Sequence, residues 1–114
     1  MPETLVQKLM KRACITLDEN STIKNLIDTL NKNKVGCVVV TSLKSTYPVG
    51  IVSERDLVRN YEKILNDNTI KVRDVMTKNI IFCNKNTSSK ELMEIMSENK
   101  IRHIPIIEKH KLLG

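Results

Sequence analysis

The chain has 114 residues, 40% of them hydrophobic, 3% aromatic and none of them Trp, with a formal charge of +6 and a pI near 9.3. That size allows one compact domain or two small units sharing a core built from Ile, Leu, Val and Met. The shortage of aromatics counts against a stacking platform for single-stranded nucleic acid. No apolar run approaches the roughly 20 residues needed to cross a bilayer. The N-terminus lacks the apolar stretch of a secretory signal, so a cytoplasmic protein is expected. Cys14, Cys37 and Cys83 are widely spaced and form no CxxC. This fits reduced thiols and implies neither a disulfide frame nor a metal site. The lysines are scattered among many Asn and Ile residues, so only locally placed basic groups bear on function.

In chain order, a short strand is expected over Ala13–Leu17, before the polar helix start Asp18–Ser21. Ile23, Leu26, Ile27 and Leu30 fall at i, i+3, i+4 and i+7, the stripe of an amphipathic helix. Asn31–Lys34 ends that helix, and the β-branched run Val35–Thr41 suits a buried strand. A turn over Ser42–Pro48 leads to a strand at Val49–Val52. Ser53 then opens a second helix that is expected to turn Leu57, Val58, Tyr61 and Leu65 inward. After the polar stretch Asn66–Lys71, the order returns. A strand is expected at Ile80–Cys83, a helix near Ser88–Glu98, a strand at Arg102–Ile107 and a turn at Lys109–Lys111.

The return is an internal repeat. Displacing the sequence by 66 positions sets Val6 on Val72, Met10 on Met76, Asn20 on Asn86, Leu26 on Leu92 and Asn33-Lys34 on Asn99-Lys100. No gap is needed up to Thr41. The division is therefore residues 1–65 as repeat 1, 66–71 as linker and 72–114 as repeat 2. Repeat 2 ends at Gly114, before a second Ser/Thr-x-x-Asp would appear, so it reads as incomplete. One complete cleft is expected, with some apolar edge left uncovered.

The phrases Val72–Thr77 (VRDVMT), Lys100–Ile106 (KIRHIPI) and Pro48–Leu57 (PVGIVSERDL) resemble those of tandem CBS domains, the cystathionine-β-synthase type. The resemblance covers nearly the whole chain. It implies an α/β fold of two β-α-β-β-α repeats, packed as one module about a pseudo-twofold axis. It also implies a cleft between the repeats for an adenosine-containing ligand: AMP, ADP, ATP or S-adenosylmethionine.

The chemistry is expected where the strand Val49–Val52 becomes a helix. Gly50 permits close backbone approach beside Ile51. Ser53 is placed as an N-cap, Arg55 carries a planar donor fork for phosphate, and Asp56 can accept from a cis-diol such as ribose. Ser-x-x-Asp before an apolar helix is also a capping pattern that needs no ligand. Taken alone the residues favour capping. Their place at the family's Gly-x-x-Ser/Thr-x-x-Asp element favours nucleotide binding, and the two roles are compatible.

The resemblance further implies that this element faces Ile80, Ile81 and Phe82, around an adenine, with Arg102 and His103 at the phosphate end. Repeat 1 has Gly36-Cys37 where repeat 2 has Arg102-His103, so the matching face lacks that basic end. The methionines fall at ordinary core spacing. No Ser–His–Asp or Cys–His order supports catalysis. The expectation is thus a regulatory sensor, not an enzyme, that needs no cofactor beyond its ligand. The resemblance implies association in pairs, a homodimer, with a regulated protein partner. The alternative readings are a nucleic-acid-binding module, suggested by the pI, or a purely protein-interaction module.

Overall fold

A computed structural model describes residues 15–42, 45–101, 103–108, 111–112 and 114. Ala13 and Cys14 of the first expected strand, Arg102, and most of the Lys109–Lys111 turn lie outside these residues. The chain divides into two compact units, one spanning Ile15–Ile80 and the other containing 81–114.

In the first unit, β1 (Thr16–Asp18) leads to α1 (Ile23–Asn33), then β2 (Cys37–Ser42) and β3 (Ser45–Ser53). The strand order is β1-β2-β3. β1 runs parallel to β2, with Thr16 opposite Val39, and α1 is the crossover that a parallel pair requires. β3 returns antiparallel, with Val38 opposite Val52. Val38, Val39 and Val40 are all buried, as befits a central strand covered on both faces. Leu26 and Leu30 of α1 pack with Val38, Val40, Val52, Ile70, Val72 and Val75 to form the core.

β3 begins at Ser45, earlier than the sequence suggests, and takes in Pro48. The register slips between Val40 and Thr41, passing from a Gly50 partner to a Pro48 partner. An irregularity of this kind tolerates a residue with no N–H.

The helix expected from Ser53 is broken. α2 (Glu54–Arg59) and α3 (Tyr61–Asn66) meet at Asn60, whose φ of −106° and ψ of 15° lie outside the helical range. The Asn60 amide and its Nδ2 both donate to Asp56 O, at 3.1 and 2.7 Å. The break corrects the expected inward face. Leu57 and Ile64 pack on the core, while Val58, Tyr61 and Leu65 stand exposed, Val58 at 75%.

The chain from Asn66 onward is tied back to this unit. Thr69 donates through both Oγ1 and backbone N–H to Asp67 Oδ1, and these bonds hold the Asp67 carboxyl below its ordinary range. Ile70 enters the core. The four-residue α4 (Val72–Val75) is capped by Asp74, whose Oδ2 accepts from Lys71 N–H at 2.8 Å.

In the second unit, α5 (Ser89–Asn99) is followed by the short antiparallel pair β4 (Ile107–Glu108) and β5 (Lys111–Leu112). The strand expected at Ile80–Cys83 shrinks to one bridge, Cys83 with Ile106. Among the described residues of the strand expected over Arg102–Ile107, pairing is seen from Ile106 onward. Pro105 has no N–H to donate, and its carbonyl accepts from Cys83 N–H at 3.0 Å. Cys83 and Ile106 form a small core with Leu92 and Ile104.

Local geometry repeats at the 66-residue offset. Thr22 caps α1 by accepting from Asn25 N–H, and Ser88 caps α5 by accepting from Glu91 N–H, both at 3.1 Å. Asn33 Nδ2 donates to Thr29 O at 2.9 Å, and Asn99 Nδ2 to Ile95 O at 2.8 Å. Both helices end on a left-handed lysine, Lys34 and Lys100, each with φ of 54°. A Cβ-bearing residue in that conformation is disfavoured by about 1 kcal/mol. Lys34→Gly is therefore expected to raise stability by about 0.5–1 kcal/mol, seen as a higher denaturant midpoint at unchanged slope.

Candidate functional site

The corner between β3 and α2 gathers five of the expected site residues: Gly50, Ile51, Ser53, Arg55 and Asp56. Gly50 is buried and has no room for a side chain. A methyl group on its Cα would lie 2.6 Å from Met76 Sδ, 2.9 Å from Met76 Cγ and 2.9 Å from Thr77 O. The backbone of Ile51 is fully engaged, donating to Thr77 O at 3.0 Å and accepting from Thr77 N–H at 2.8 Å.

Ser53 is extended (φ −126°, ψ 170°) and half-buried at the head of α2. Its N–H donates to Asp56 Oδ2 at 2.8 Å and its Oγ donates to the same oxygen at 3.1 Å. The capping role read from the sequence is thus realised, and both of these bonds fall on Oδ2. Glu54 N–H donates to Gly36 O at 2.9 Å, which moors the start of α2 to the residue before β2. Arg55 is exposed.

The remaining expected residues lie further along the chain. Ile80 closes the first unit and is half-buried. In the second unit Ile81 is half-buried, whereas Phe82 and His103 are exposed. Arg102 is outside the described residues. Met76 and Thr77, which the sequence placed in a family phrase and, for Met76, in the repeat and among core-spaced methionines, but not in the site, touch the corner directly. An open groove of about 570 Å³ along α5, lined by Ser89, Met93 and Ser97 among others, contains none of the expected site residues.

Cys83 is buried beside this second core, and desolvation pushes its thiol above the ordinary value, against a smaller opposing effect of a Thr87 hydrogen bond. A raised folded value means the thiol form is favoured in the fold. Its contribution to stability is intact below the unfolded thiol pKa and is lost as pH rises through the folded one. Cys83 is expected to resist alkylation by iodoacetamide in the native protein at pH 8 and to react on denaturation, as followed by mass spectrometry.

Among the described residues, no group of three or more His, Cys, Asp or Glu is arranged to hold a metal ion. No described helix is long and apolar enough to cross a membrane.

The family model for the CBS domain matches residues 6–63 and 72–114. The chain belongs to the CBS domain family. Among solved structures, the CBS-domain containing protein ATU1752 from Agrobacterium tumefaciens is 34% identical, with a TM-score of 0.86 over 97% of this chain and 90% of that one. The CBS domain protein PAE2072 from Pyrobaculum aerophilum, solved in complex with AMP, is 29% identical, with a TM-score of 0.85 over 96% of this chain and 82% of that one. Inosine-5'-monophosphate dehydrogenase from Methanocaldococcus jannaschii is 28% identical over 101 residues, which are 88% of this chain and 19% of that protein. Two uncharacterized relatives, MJ1225 from the same organism and MK0525 from Methanopyrus kandleri, are matched over 38% and 59% of their lengths. The chain thus spans less than two thirds of these curated relatives, and the CBS pair is the part they share with it.

Proposed function

We propose that this CBS chain is a regulatory module that binds an adenosine-containing ligand through the Gly50–Asp56 corner. The observation that carries the reading is the disposition of Asp56. Ser53 takes Oδ2 twice, so Oδ1 is the oxygen offered to a ribose hydroxyl, already oriented by the cap. The AMP held by the 29% identical PAE2072 supports the ligand class. Arg55 serves a phosphate, Ile80, Ile81 and Phe82 serve the base, and Arg102 and His103 complete the phosphate end. Repeats 1–65 and 72–114, joined through 66–71, act together. The ligand shifts the population between two arrangements by its differential affinity for them, and a regulated partner reads the result. No bond is made or broken in this role. The working form is a cytoplasmic homodimer.

A thermal-shift and calorimetric panel tests the proposal with AMP, ATP, S-adenosylmethionine and a single-stranded RNA at two salt concentrations. An adenosyl ligand at a hundred times its Kd is expected to stabilise the fold by about 2.7 kcal/mol, a rise in Tm of roughly 10 °C. No shift with any adenosyl compound, together with RNA binding that weakens steeply with salt, would overturn it.

A further inference from the structure

We infer that Met76 and Thr77 form a positioning clip that sets the conformation of the Gly50–Asp56 corner, so that the segment leaving the first repeat governs the affinity of its ligand site. The inference rests on the ligand reading above for its binding consequence and on geometry alone for the clip itself.

Three features of the first unit converge on it. The thioether of Met76 occupies the space that any side chain on Gly50 would need. Immediately after it, Thr77 exchanges both backbone hydrogen bonds with Ile51. The same segment is anchored at its other end. Val72 N–H donates to Ser21 O at 2.9 Å, Arg73 N–H donates to Glu19 O at 3.0 Å, and Lys71 bridges Thr22 at the head of α1. Arg73 Nη1 also donates to Asn20 Oδ1.

Residues 71–77 therefore span from the start of α1 to the C-terminal part of β3 and are fastened at both ends. Ile51 is two residues from Ser53, whose N–H fixes Asp56. A shift of Met76 moves Gly50 and Ile51, and these move the cap. The clip acts through the corner it holds.

Four variants of the full chain test this: Met76→Ala, Met76→Leu, Gly50→Ala and Gly50→Ala with Met76→Ala. AMP affinity is measured by calorimetry well below each melting temperature, and amide exchange of Ser53 by NMR. Met76→Ala is expected to weaken AMP binding about tenfold and to speed Ser53 exchange, while Met76→Leu, similar in volume, stays within about twofold of the parent. Gly50→Ala is expected to lose at least tenfold. The double variant is expected to lose less than the product of the two single losses, because the two groups contest one space.

Two results would overturn the clip: unchanged Ser53 exchange in Met76→Ala, or single losses in AMP affinity that simply multiply. If the parent chain binds no adenosyl ligand while Met76→Ala still loosens Ser53, the clip stands and the ligand reading fails. A purely structural Met76 would lower Tm and leave both Ser53 exchange and AMP affinity unchanged.

Discussion

Leu26→Ala is expected to destabilise the first unit by about 2–5 kcal/mol, the largest effect of any single truncation proposed for this chain. Leu26 is fully buried on α1 and packs in the cluster that includes Val38, Val40 and Val52 of the sheet, and Val72 and Val75 of α4. Removing its isobutyl group opens a cavity where strands, crossover helix and returning segment converge, so collapse of one wall cannot refill it. A domain of this size has only about 5–15 kcal/mol in hand, and the loss corresponds to a fall in Tm of roughly 10–25 °C. Calorimetry or a denaturant titration reads it directly. Ile27→Ala, one residue on and exposed, is the control and is expected to stay within about 0.5 kcal/mol of the parent.

Asp56→Ala is expected to weaken adenosyl-ligand binding at least tenfold while costing about 1 kcal/mol of stability. The stability loss follows from the cap. Ser53 N–H loses its acceptor at the head of a helix only six residues long, a deletion of the N-cap kind. The binding loss follows from the proposed role of the carboxylate as acceptor for ribose, whose removal leaves a hydroxyl unpaired. Asp56→Asn separates the two contributions. The amide oxygen still accepts from Ser53, so stability recovers, but the charge that strengthens hydrogen bonds to a diol is gone and affinity stays low. Calorimetric titration with AMP beside urea unfolding of the same samples measures both. Affinity equal to the parent in Asp56→Ala would clear Asp56 of any ribose role.

The elements that the sequence made legible are those specified by their own residues. α1 carries an apolar stripe and α5 a polar start at Ser88, and each ends at an Asn-Lys pair, features contained in about twelve contiguous positions, although α1 takes its cap from Thr22, just past the expected Asp18–Ser21 start. β2 is visible because a β-branched run between two polar turns has few other uses. The corner at Ser53 and Asp56 is local in the same way, a capping pattern four residues long. What escaped depends on distant partners. The exposure of Val58, Tyr61 and Leu65 is not written in the apolar spacing, which reads equally well as one continuous helix across Asn60. The reduction of Ile80–Cys83 to a single bridge follows from Pro105, more than twenty residues away, which withholds a donor from the facing segment. The seat of Met76 on Gly50 joins the middle of the unit to its end, and no periodicity records such a contact. The 66-residue repeat aligns Met76 with Met10 but says nothing about what either touches.

The place of Thr77 has a consequence for association. β3 is the outermost strand of its sheet, and a bare outer strand is a template onto which another chain can add by main-chain pairing. By taking both backbone groups of Ile51, Thr77 shuts that template toward its C-terminal end. A first repeat cut before Lys71 would lose this shield together with Val72 and Val75 from its interior, and would tend to recruit copies of itself into extended sheet.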